Sequence, residues 1–140
     1  MDDYAVDWSG LAILDLDECY RRLARVPVGR IGFVEAGEPL ILPVNFAVDG
    51  RSVVFRTGRG SKLAAAIMEQ AVCLEVDAFD TLEHAGWSVL VRGMAEEVVD
   101  ADQIAHFDTL PVMPWSRPDL RSHWVRILPQ EVSGRELAKR

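Results

Sequence analysis

The stretch from Leu40 to Thr57 limits the fold of this chain more than any other. In "LILPVNFAV" the positions Leu40, Leu42, Val44, Phe46 and Val48 are all apolar, while Ile41, Pro43, Asn45 and Ala47 form a mixed set. A period of two means a strand with one face turned to a core. Asp49-Gly50 comes next, a pair suited to a type I′ turn, and "RSVVFRT" returns with Val53 and Phe55 expected inward. The centre of the chain therefore reads as a β-hairpin.

The same period recurs on both sides of it. "VGRIGFVEA" reads as a strand turned by "GEP", "AVCLEVDAF" alternates through Val72, Leu74 and Val76, and "GWSVLVRGMAEEVV" is a long strand with Gly93 as a bulge or bend. "RSHWVRILPQEV" closes the series. Helices interrupt it. "LDLDECYRRLARV" opens with Asp15 as N-cap, Glu18 as the returning carboxylate and Leu14 as a staple, and it ends at Pro27. Its Leu16, Cys19, Tyr20 and Leu23 recur at helical spacing. "SKLAAAIMEQ" and "DADQIAHFDTL" are two further short helices, and "PVMPWSRPDL" is a loop. Residues 1–13 lack a period and are expected to form a loose arm.

About six strands joined mostly by tight turns do not suit a doubly wound parallel sheet. A small antiparallel barrel does, because closure removes exposed edges. The expected fold is mainly β with short helices, one domain over residues 1–140. A chain of 140 residues can bury a core of its own, and 49% hydrophobic with 26% charged residues excludes a disordered composition. No apolar run is long enough to span a bilayer and the N-terminus is acidic, so the expectation is a cytoplasmic chain with no membrane segment. Cys19 and Cys73 have no CxxC spacing and are expected as buried free thiols. His84, His106 and His123 lack metal-ligand spacing, so no metal is expected. Trp87 is equally suited to an interface and to a core, whereas Trp115 is read as core or loop.

Charge is distributed unevenly. The net charge of −7 argues against nucleic acid, yet residues 51–68 carry +4 with no Asp or Glu, which leaves −11 for the rest. Within that span lies "FRTGRGSKLAAA". Strand ends at Arg56-Thr57, Gly58 and Gly60 permit a tight backbone, and Ser61-Lys62 opens a helix. Free amides at a helix start, a hydroxyl and cations suit a terminal phosphate. The nucleotide P-loop is excluded, since it sets a Ser or Thr directly after its lysine and here Leu63 follows Lys62.

The order of "LDLDECYRRLARVPVGRIGFV", "PLILPVNFAVDGRSVVFRT", "GSKLAAA", "AVCLEVD", "GWSVLVRGMAEEV" and "WVRILPQEVSGR" resembles the FMN-binding split-barrel proteins related to pyridoxamine 5′-phosphate oxidase, including small nitroimidazole-resistance-like members. The resemblance implies a six-stranded antiparallel split β-barrel that binds FMN at a homodimer interface. It implies that Arg56, Thr57, Ser61 and Lys62, with Leu63 beside them, hold the phosphate and ribityl chain, and that Val44, Asn45 and Phe46 border the ring. Trp87, Ser88 and Val89 would approach from the other subunit, and Trp124 and Arg126 would lie near the same pocket. The implied activity is oxidoreduction, hydride passing between a nicotinamide or other donor and a small organic acceptor. Alternatives are a non-catalytic flavin-sensing module, or a split barrel that takes a deazaflavin coenzyme or haem. The chain lacks the C-terminal substrate segment of a true pyridoxamine phosphate oxidase, so vitamin B6 oxidation is not implied.

Overall fold

The computed structural model describes residues 5–58, 66–112 and 123–137. Ser61, Lys62, Leu63 and Trp115, with Arg59 and Gly60, fall outside these residues. The elements run β1 (Ala12–Leu14), α1 (Leu16–Leu23), β2 (Val28–Glu35), β3 (Glu38–Asp49), β4 (Ser52–Thr57), β5 (Ala71–Asp80), β6 (Ala85–Glu97), α2 (Ala101–Phe107) and β7 (His123–Leu137).

Every strand pairing is antiparallel, in the order β1-β7-β4-β3-β2-β5-β6, and β6 pairs again with β7. Six strands thus close on themselves, as expected, and the short β1 is added to the flank of β7. That addition corrects the loose-arm reading at its end: Ala12–Leu14 pair with β7, and Asp7 reaches Arg135 at 3.0 Å. The last strand also runs beyond Val132 to Leu137, because β6 and β1 both supply partners there.

Alternation fills the barrel. Ile31, Val53, Phe55, Leu74, Val76, Val89, Val91, Val125 and Ile127 are fully buried, each worth roughly 1.5–3 kcal/mol of burial. The expected inward face of β3 is only half realised. Val44 and Phe46 are buried, whereas Leu40 and Leu42 are 38% and 41% exposed. The cause is pairing: β4 lies beside only Phe46 to Asp49, so the first half of β3 has β2 on one side and no β4 neighbour on the other. The barrel is open there.

The hairpin turn sits one residue later than expected. Asp49 pairs with Ser52, so Gly50 and Arg51 form the loop; Gly50 has φ +60° and Arg51 stays out of the left-handed region. Glycine at the first central position belongs to type II′ rather than type I′. Gly93 does mark a bulge, with the β6–β7 register shifting between Arg92 and Gly93.

Asp15 caps α1, its Oδ1 accepting from the Glu18 amide at 2.8 Å. The Glu18 carboxylate takes bonds from Arg21 and Arg22. It does not return to the cap, because two guanidiniums offer charge-assisted bonds. Asp15→Ala should cost about 1 kcal/mol, measured by urea unfolding. A loss under a few tenths would show that packing of Cys19 and Leu23 holds α1 without its cap.

Candidate functional site

The β3–β4 hairpin gathers the first half of the predicted site. Phe46 faces Phe55, both buried in the core. One step further along each strand stand Asn45 and Arg56, and these alternate to the outer face. Beyond them Val44 and Thr57 are buried again. Val44, Asn45, Phe46, Arg56 and Thr57 therefore share one end of the hairpin. Gly58 follows the end of β4, and Ile67 is fully buried in the core. The Thr57 hydroxyl is buried and has no hydrogen-bond partner among the described residues. A buried donor of this kind normally finds an acceptor.

The β4–β7 ladder adds the floor. Trp124 pairs with Arg56 and His123 with Thr57. The Arg56 guanidinium lies over the Trp124 ring, 5.0 Å from its centroid. Trp124 is 3% exposed, which leaves no ring face for stacking on a ligand. Arg126 is bound to Glu96 through Nε, at 2.9 Å, and through a second guanidinium nitrogen. Its charge is compensated within the barrel wall.

Arg51 leaves the cationic group suggested by the sequence. It binds Asp17 at 2.6 Å and lies over the Tyr20 ring at 4.5 Å, while the Tyr20 hydroxyl donates to the Arg51 carbonyl at 2.7 Å. It fastens α1 to the hairpin turn.

Trp87, Ser88 and Val89 are elsewhere. Trp87 pairs with Glu136, twelve positions along β7 from Trp124, about 40 Å of strand contour. Val89 is fully buried in its own barrel and presents no side-chain surface, since alternation turns it inward. Trp87 and Ser88 line a groove of about 260 Å³ with Glu75, Asp77 and Arg135. Arg22 lies over the Trp87 ring at 5.6 Å.

Two residues of that groove, Glu75 and Asp77, belong to a cluster absent from the sequence reading. Arg30 pairs with Glu75 across β2–β5, its guanidinium 3.2 Å from Glu75 and 2.8 Å from Asp77. Burial, then the bond and repulsion from Asp77, push the Glu75 carboxyl up to about 7, against the pull of Arg30. A folded-state value above the ordinary 4.5 stabilises the fold at low pH, and that stability is lost as pH rises toward 7. Glu75→Gln should therefore help the fold more at about pH 8 than at about pH 5. Denaturant midpoints at the two pH values test this; an equal change at both would rule out the raised value.

Two of the three histidines take structural partners: His106 lies 2.8 Å from Asp49, and His123 contacts Glu97. Cys19 is a buried thiol, and Cys73 a half-buried one. No helix among the described residues is long and apolar enough to cross a membrane.

Residues 15–136 match the sequence profile of the family described as pyridoxamine 5′-phosphate oxidase. The chain belongs to this family. An uncharacterized protein of Mycobacterium tuberculosis, Rv0080, is 40% identical over 127 residues, which cover 86% of this chain and 82% of that protein. The solved structure of the FAD binding protein from Mycobacterium smegmatis is 38% identical with a TM-score of 0.80, covering 91% of this chain and all of that one. A FAD-binding protein from Mesorhizobium loti is 25% identical with a TM-score of 0.70, covering 91% and 99%. The split barrel of the pyridoxamine 5′-phosphate oxidase family is thus the architecture of this chain.

Proposed function

We propose that this family member is a flavin-nucleotide oxidoreductase that works as a homodimer. The observation that carries the reading is the convergence of Asn45, Arg56 and Thr57 at one barrel end, in a chain 38% identical to a FAD binding protein. The residues fit the group. Arg56 offers a planar fork of donors to a phosphate, and the buried Thr57 hydroxyl is a donor in want of an acceptor. Ser61, Lys62 and Leu63, which lie outside the described residues, would complete the phosphate site. Of Val44, Asn45 and Phe46, Asn45 would meet the ring edge through its backbone, since the Phe46 amide donates to the Pro27 carbonyl at 3.1 Å and Val44 and Phe46 turn their side chains into the core. Bound there, the isoalloxazine supplies hydride and electron transfer between a nicotinamide or other donor and a small organic acceptor.

A second copy supplies what one chain leaves apart. Trp87 and Ser88 lie too far along β7 to reach the Arg56 end of their own barrel, so a partner would present them. The exposed Val34, Leu40, Ile41 and Leu42 form apolar surface that such a partner would cover.

The flavin is FMN in the sequence reading, and the names of the similar mycobacterial and Mesorhizobium structures favour FAD as a second reading. An absorption spectrum of freshly purified protein, followed by acid release and chromatography of the bound flavin, distinguishes the two. The same spectrum distinguishes haem or deazaflavin. Colourless protein that leaves the fluorescence of micromolar FMN and FAD unquenched would sink the proposal. Turnover with NADH or NADPH separates the enzyme from a flavin-sensing module.

A further inference from the structure

We propose that Asp108 and Trp124 form a seat that holds Arg56 in position for the ligand phosphate, so that they set the preference for phosphorylated flavins without touching them. The inference rests on the phosphate role of Arg56 proposed above and extends it to residues on α2 and β7.

The seat is built from three contacts. The Trp124 indole N–H donates to Asp108 Oδ1 at 2.8 Å. Phe107 meets the same ring at 5.6 Å between centroids and 52° between planes. Trp124 is thereby fixed within a second apolar cluster, with Val54, Val98, Phe107 and Val112, outside the barrel wall. Arg56 then lies over this ring at 5.0 Å, directly across the β4–β7 ladder.

The physical consequence is preorganisation. An arginine side chain free to rotate loses much of that freedom when it clamps an anion, and prior immobilisation reduces the loss. A ring held through its N–H by Asp108 and packed against Phe107 keeps its orientation, so the guanidinium above it rests on a fixed surface. The Asp108 carboxylate also places negative charge at the indole, which strengthens the ring's attraction for a cation. Asp108 is itself exposed at the end of α2. An exposed carboxylate that binds a nearly buried indole is therefore open to substitution without loss of core packing. These are positioning residues, since Trp124 is buried and Asp108 acts through it.

The test measures FMN and riboflavin binding to the full chain by flavin fluorescence quenching, for wild type, Asp108→Ala, Asp108→Asn and Arg56→Ala. Asp108→Ala is expected to weaken FMN by about two- to tenfold while riboflavin changes little, and Asp108→Asn, which keeps an acceptor for the indole, should recover part of that loss. Arg56→Ala should lower the FMN to riboflavin ratio further. If Arg56→Ala lowers the ratio and Asp108→Ala leaves it unchanged, the seat is overturned and the phosphate reading stands. If Arg56→Ala leaves the ratio unchanged, or neither flavin binds, both are overturned.

Discussion

Gly93→Ala should destabilise the fold by about 3 kcal/mol, lowering the melting temperature by roughly 10 °C. A Cβ at this position would lie 2.1 Å from the Leu128 carbonyl oxygen and 2.9 Å from its carbon. Both are backbone atoms of β7, at the step where the β6–β7 register shifts. A side chain in the way could rotate aside. A strand can yield only by moving its ladder, and β7 is bonded to β4, β6 and β1. The bulge lies on β7 between the stretch paired with β4 and the stretch paired with β1, so a shift of the strand here disturbs the ladders on either side. Thermal unfolding followed by circular dichroism checks the expectation. A shift within 2 °C of wild type would mean that the bulge can absorb a methyl group. Because Gly93 is remote from Arg56, the ratio of FMN to riboflavin affinity should stay at the wild-type value in whatever fraction remains folded.

Lys62→Ala should weaken FMN by about 10- to 150-fold and leave riboflavin almost unchanged. Only FMN carries the phosphate, and a charge-assisted contact to it is worth roughly 1.5–3 kcal/mol. The effect should shrink at high salt to the extent that the site is open to solvent. Titration of both flavins at low and high ionic strength measures it. Equal losses for the two ligands would place the phosphate elsewhere. Arg51→Ala supplies a contrast within the same basic stretch: it should loosen α1 through Asp17 and Tyr20 and leave the flavin ratio untouched.

Local chemistry made much of this molecule legible in its sequence. Asp15 and Asp100 cap their helices as their positions imply, with amides donating to them at 2.8 and 2.9 Å. Gly93 marks its bulge, and Val72, Leu74 and Val76 turn inward on one side of β5. Each of these depends on residues a few positions apart, where steric and hydrogen-bond rules act directly. The end of β4 at Thr57, with Gly58 directly after it, was legible for the same reason.

Other assignments fail where the deciding neighbour is distant. Arg51 looked like a member of the basic group, and Asp17, 34 positions earlier, takes it away. Leu40 and Leu42 continue the apolar period of Val44 and Phe46, yet β4 ends before it reaches them. What holds Trp124 is equally distant in the chain: Phe107, the last residue of α2, packs on its ring, and Asp108, the next residue, accepts from its indole N–H.

The amino-acid order alone determined the antiparallel barrel, since period, turn and cap are properties of adjacent residues. Tertiary structure decided that Arg51 is drawn to Asp17, that Trp124 lies beneath Arg56 and that Leu40 and Leu42 stay exposed. Those depend on which strand or helix lies opposite, and packing across the closed sheet fixes that choice.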